Sequence, residues 1–321
     1  MAGGGVPPGK AWGSPGLTGP PPGAAYPSVL RGDSYAWWRS VLGVFLAPMI
    51  WLLLGGAVGS GVLLLGWRVA PRGLEQSDYF AAGQRFEFWE GMLASHVQIA
   101  LLIPICFLMV RSWHMVRPGY LWSVEGRPRW GYLWACVGVA AVVFGIYIAT
   151  MPLRGQAELV WQPQPGFWAF FIVILLTSPL QAAAEEFLFR GYLLQGLGSL
   201  VTNPWFGVVT SALVFALFHG TQNLPLFGSR FAFGVVVGWL VLRTGGLEAA
   251  IAAHVVNNVF AFTLAGLTST IAESRTLTSV GWVQAFSDVV VYSIITLIAA
   301  GLAVRMKVRS RALGTDRGAA Q

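Results

Sequence analysis

Eight apolar runs recur along this 321-residue chain, each near the roughly 20 residues an α-helix needs to cross the hydrocarbon core of a bilayer. They fall at 41–67, 93–111, 130–151, 167–197, 204–222, 226–243, 247–267 and 283–304. Within hydrocarbon every backbone amide must find its partner inside the chain, so only helices or a closed barrel can span. The runs are continuous rather than alternating, which argues against barrel strands. The predicted fold is therefore all-α, a polytopic transmembrane bundle of about eight helices. Composition agrees: 55% of residues are hydrophobic and 10% charged, against roughly a quarter charged in a soluble domain. The membrane bilayer is thus the first partner the chain requires.

The segments outside the runs are short. Residues 1–36 are rich in Gly and Pro and lack apolar periodicity, so they read as a disordered tail. They also lack the basic start and compact apolar core of a secretory signal. Residues 37–305 form one membrane domain, and 306–321 a basic tail. Net charge is +7, but the basic residues sit beside apolar runs, where a positive-inside bias places them, so no nucleic-acid partner is implied. With both termini cytoplasmic, 14 Lys and Arg residues lie inside and six outside (Arg68, Arg72, Arg85, Arg154, Arg230 and Arg275). The expected topology is N-in and C-in. Arginine outnumbers lysine 18 to 2 beside 40 glycines, which reads as a GC-rich bacterial genome; the expected location is the inner (plasma) membrane. The two cysteines, Cys106 and Cys136, fall inside apolar runs and argue for neither a disulfide nor a metal cluster. Two GxxxG pairs, Gly55/Gly59 and Gly234/Gly238, are expected to serve packing within the bundle rather than dimerisation.

Ionisable residues inside apolar runs are costly and therefore default to function. The fourth run carries Glu185, Glu186 and Arg190, the fifth His219, and the seventh His254 with Asn257 and Asn258. His96 and Asp288 lie nearer helix ends, where interfacial solvation suffices. Glu186 and Arg190 are four apart and can pair along one helical face. Glu185 and Arg190 are five apart, about 140° around the helix. Arg190 is thus expected to neutralise Glu186, leaving Glu185 without a local partner and suited to act as a general base. Pro179, six residues earlier, can open the helix to a polar cavity. His254 and Asn258 share a face, with Asn257 close to it. Phe215, four before His219, can pack on the imidazole. At 1.5 Å per residue, Glu185 lies about 18 Å from the cytoplasmic end of its helix, His219 about 22 Å, His254 about 10 Å and Asn258 about 16 Å. Helix tilt and boundary error allow these depths to converge near mid-bilayer, without requiring contact between the helices.

The same residues carry a family resemblance. Glu185-Glu186-Phe187-Leu188-Phe189-Arg190 matches an EExxxR motif, Phe215-Ala216-Leu217-Phe218-His219 an FxxxH motif, and His254-Val255-Val256-Asn257-Asn258 an HxxxN motif. Three such motifs in this order resemble the CPBP intramembrane proteases, the type II CAAX prenyl endopeptidase family, over about 165–265. The resemblance implies an intramembrane endopeptidase, opening toward the cytoplasm, that hydrolyses a membrane-associated protein or peptide. It implies that Glu185 activates water with help from His219, and that His254 and Asn258 bind the oxyanion. Glu186, Arg190 and Phe215 would support them. The family has also been described as metal-dependent, in which case zinc is the cofactor and His219, His254 and Glu185 its ligands. Three such ligands satisfy the rule for catalytic zinc, though not through an HExxH turn. HExxH is also absent elsewhere, as are GxGD and a GxSG serine with a downstream histidine. Two other readings compete: a non-proteolytic relative such as a bacteriocin-immunity or scaffold protein, and a proton-coupled transporter.

Overall fold

A helix in lipid is set by its apolar length, and its ends by the residues that stop it. The computed structural model describes residues 16–151 and 160–313, and ten helices of six residues or more run through them. They are α1 (Trp37–Val69), α2 (Gln76–Gln84), α3 (Trp89–Trp113), α4 (Trp130–Ala149), α5 (Phe167–Gly198), α6 (Pro204–Leu217), α7 (Leu224–Thr244), α8 (Glu248–Thr268), α9 (Ile271–Thr276) and α10 (Trp282–Arg305). Seven of these, all but α2, α6 and α9, are long and apolar enough to span a membrane. The eighth expected span is α6, which is apolar but only 14 residues long. The chain is a polytopic helical bundle.

Three features of this bundle position the interior polar residues. First, α5 packs against both α3 and α8, α6 against α7, and α7 against α10. The fourth and seventh apolar runs are thereby brought face to face. Second, α5 continues through Pro179 and then widens into a π-helical stretch at Phe187–Leu193. Its backbone bonds there run i→i+5, a distortion frequently found at functional sites. Third, α6 ends early. The sequence placed that helix to residue 222, but it stops at Leu217 because Gly220 takes a left-handed φ of +73° and Asn223 begins the next helix. The Asn223 side chain accepts from the Leu226 amide at 3.2 Å, with Pro225 in the first turn of α7.

At 1.5 Å per residue α6 is about 21 Å long, short of the roughly 30 Å hydrocarbon core. The chain must therefore turn within the thickness of the bundle, where bare backbone needs protein partners. These are supplied. The Asn223 amide donates to the Thr278 carbonyl at 2.9 Å, the Asn223 side chain donates to Val280 O at 2.8 Å, and Gln222 Nε2 donates to Ala216 O at 2.6 Å.

The expected disordered tail needs correction over its described part. Residues 16–36 pack against one end of the bundle. Tyr26, Val29 and Leu30 are buried, and the Tyr26 hydroxyl donates to Leu121 O at 2.5 Å. Ala312 pairs with Gly23 and Ala24 through two backbone bonds of 2.9 Å. Pro27 sits in a 3-10 turn at Tyr26–Ser28, and three apolar side chains anchor the segment despite its Gly/Pro-rich composition. Both ends of the described chain therefore lie at the same end of the bundle. Lys10, Arg154 and Arg317, which entered the charge count, fall outside the described residues.

The glycine pairs face neighbouring helices. A Cβ on Gly59 would meet Gln98 Oε1 of α3 at 2.6 Å, and one on Gly234 would meet the Ala212 Cβ of α6 at 2.6 Å. They serve close helix approach inside the bundle. His96 is buried and bonds Thr177 Oγ1 at 2.7 Å, so a protein partner replaces the interfacial water expected for it. Asp288 likewise accepts from Tyr147 and Gln284.

Candidate active site

One side of α5 is polar at every fourth position, meeting α3 at Thr177 and α8 at Gln181 and Glu185. Thr177, Gln181 and Glu185 are successive members of one i, i+4 row. Gln181 Nε2 donates to Glu185 Oε1 at 2.5 Å, and Asn258 Nδ2 of α8 donates to Gln181 Oε1 at 2.8 Å. Glu185 was expected to lack a local partner. It has two: Gln181, and the Nε2 edge of His254, 3.6 Å from Glu185 Oε2. Its side chain keeps 16% exposure, whereas that of Glu186 keeps none. Of the two adjacent carboxylates, only Glu185 retains an accessible edge.

Glu186 does bind Arg190, at 2.9 Å and with both side chains buried. The same Oε1 also accepts from His254 Nδ1 at 2.7 Å. Glu186 thus joins α5 to α8 as well as neutralising the arginine. The Arg190 guanidinium lies 4.1 Å from the Phe215 ring centroid and 4.7 Å from that of Phe233, so its charge rests between two aromatic rings. Phe215 also makes edge contacts with His219 at 4.7 Å and His254 at 6.2 Å. One ring of α6 therefore touches all three motif groups.

His219 sits just beyond the last turn of α6, and its surface is exposed. His219 Nδ1 lies 2.8 Å from the Phe215 carbonyl. A carbonyl only accepts, so Nδ1 carries the proton, and the neutral ring leaves its Nε2 lone pair free. On α8, His254 has its Nδ1 on Glu186 and its Nε2 toward Glu185. Asn258 has one amide hydrogen committed to Gln181 and a second in reserve. Asn257 donates to Asn258 Oδ1 at 3.0 Å.

The residues meet part of what zinc requires. Each histidine is tied through Nδ1 to a carbonyl or carboxylate, the support a metal-ligating imidazole usually has. However, among the described residues no three His, Cys, Asp or Glu side chains group as a metal cage. As placed, Glu185, His219 and His254 do not form the three-ligand set.

Sequence reasoning missed Gln181, Phe233 and the Gln222–Arg230 pair. Gln181 carried a signal, as an amide in an apolar helix four residues before Glu185. Phe233 carried none, because an apolar residue in an apolar run cannot be told from lipid-facing neighbours.

Residues 163–260 match the sequence profile of a family described as Type II CAAX prenyl endopeptidase Rce1-like. That segment contains all three motifs. A Bacillus subtilis (strain 168) protein, the uncharacterized protein YyaK, is 35% identical over 92 residues, which cover 27% of this chain and 31% of the relative. The likeness therefore spans less than a third of each protein. No solved structure matches.

Proposed function

From the membership of this chain in the CPBP family, and from the way its three motifs close on one another, we propose an intramembrane endopeptidase acting on a membrane-associated protein or peptide. The observation that carries this reading is the connected set Asn258–Gln181–Glu185–His254–Glu186–Arg190, in which only Glu185 presents a reachable carboxylate oxygen.

Glu185 Oε2 takes a proton from a water, and the oxygen attacks the scissile carbonyl carbon. His219, with Nε2 free, is a second acceptor that orients the water. The tetrahedral intermediate places negative charge on the former carbonyl oxygen. The spare hydrogen of Asn258 Nδ2 donates to it, with the His254 ring, held by Glu186 through Nδ1, beside it. The intermediate collapses as the C–N bond breaks. Glu185 returns its proton to the departing nitrogen, giving one carboxylic acid and one amine. Glu186 holds His254 and Arg190 throughout and exchanges no proton. Positioned donors at a developing oxyanion are commonly worth about 10²–10³ in rate.

The experiment is a comparison of membrane proteomes. A deletion strain is complemented with the wild-type chain or with Glu185→Gln, and new peptide termini are mapped. Termini that depend on Glu185 identify the substrate. Identical sets in both strains would remove the support for proteolysis. Cleavage by the purified chain is expected to survive exhaustive chelation. Loss on chelation and return with zinc would replace the water mechanism by a metal-bound one.

A further inference from the structure

The exposed end of α6 is bordered by a guanidinium that the reaction above does not use. Arg230 stands in the second turn of α7, and its Nη1 donates to Gln222 Oε1 at 2.7 Å. Gln222 is fastened in turn to Ala216 O, at the end of the helix that delivers His219. This fixes the arginine head beside the loop rather than along the helix wall. Its charge acts on both His219 and Glu185, yet among the described residues no carboxylate pairs with it. Arg275 of α9 adds a second positive charge that acts on Arg230. Arg190, by contrast, has Glu186, and Arg129 has Glu248 at 2.5 Å. A half-buried guanidinium inside an apolar bundle is costly without an anion, and its planar fork suits a carboxylate held by two parallel bonds.

We propose that Arg230 is a specificity-determining residue that binds a carboxylate of the substrate, presented beyond the scissile bond as a free C-terminus or an acidic side chain. The inference rests on the proposed endopeptidase reading for its site, and it adds the chemical class of what enters. Gln222 sets the orientation of the fork. The anion occupies the remaining N–H groups, and the peptide bond before it lies over Glu185 and His219.

The test separates binding from cleavage. Three fluorescein-labelled apolar peptides are made: one with a free C-terminal acid, the same sequence as an amide, and an amide ending in Glu. Their affinities are measured by anisotropy on the full-length Glu185→Gln chain in nanodiscs. At least one of the two carboxylate peptides is expected to bind about 10- to 100-fold tighter than the neutral amide, as a charge-assisted hydrogen bond allows. Which of them does so identifies the source of the carboxylate. Adding Arg230→Gln should bring that ratio to near one, and Arg230→Lys should restore part of it. Equal binding of all three peptides, binding of none, or a preference that survives Arg230→Gln overturns the assignment. If Arg230→Gln does not fold, the ratio on the parent chain and on Arg230→Lys decides. Cleavage is read separately on the wild-type chain. A preference without cleavage leaves Arg230 standing and removes support from the endopeptidase reading, and cleavage without a preference does the reverse.

Discussion

Glu185 and Glu186 are chemically identical neighbours, and their difference arises from what each one touches. The i, i+4 spacing made the Glu186–Arg190 pair legible in the sequence. The second duty of Glu186, at His254 Nδ1, was not, because it depends on which face of α8 meets α5. For the same reason Gln181 went unseen: it matters only once Asn258 stands opposite. Two outcomes follow at this scale. Arg190→Ala leaves a buried carboxylate without its cation, and removing one member of a buried pair costs about 3–5 kcal/mol in soluble proteins. Thermal unfolding in detergent should shift down strongly, and the double change Glu186→Gln with Arg190→Gln should recover part of the loss. Gln181→Leu keeps the helix and its bulk but frees both Glu185 and Asn258. Turnover should fall about 10- to 100-fold, the scale of a misplaced reacting group, with a smaller effect on unfolding than Arg190→Ala.

Apolar length set the helices well, because a span in lipid has no other way to satisfy its backbone. The seven long helices stand where continuous hydrophobicity placed them, within a few residues. What the runs could not mark was the stop inside the fifth. Residues 218–222 are compatible with a helix by hydropathy, and the chain turns because Gly220 accepts a left-handed conformation and Asn223 caps α7. That stop carries His219 to an exposed position at the end of a short helix. The π-helical stretch of α5 was equally invisible, since it reflects packing rather than composition. Gly220 has open space around its Cα, so Gly220→Ala tests the backbone conformation alone. It should cost about 1–2 kcal/mol, the penalty of a left-handed non-glycine residue, read as a lower unfolding midpoint. An unchanged midpoint would mean the turn does not depend on glycine.

Across the whole molecule, both chain ends are fastened to one end of the bundle. The Gly/Pro composition of residues 16–36 pointed to disorder, yet Tyr26 is wholly buried. Composition averages over a segment, while anchoring needs only a few side chains with a place to go. Tyr26→Ala removes that ring and its bond to Leu121, and should destabilise the protein by about 3–5 kcal/mol, as for other buried aromatic truncations; a solvated tail would show no change. A C-terminal reporter active only in the periplasm should stay silent if the basic end faces the cytoplasm. The central claim is that this bundle holds one reachable carboxylate as a base and a second, beside it, as a brace. It is tested most directly by turnover of a verified substrate by purified Glu185→Gln and Glu186→Gln. General-base catalysis is typically worth 10²–10⁴-fold, so Glu185→Gln should lose at least that much while remaining folded. Glu186→Gln, which keeps an oxygen for His254, should retain activity in proportion to its folded fraction. Near-normal turnover by folded Glu185→Gln would contradict the account.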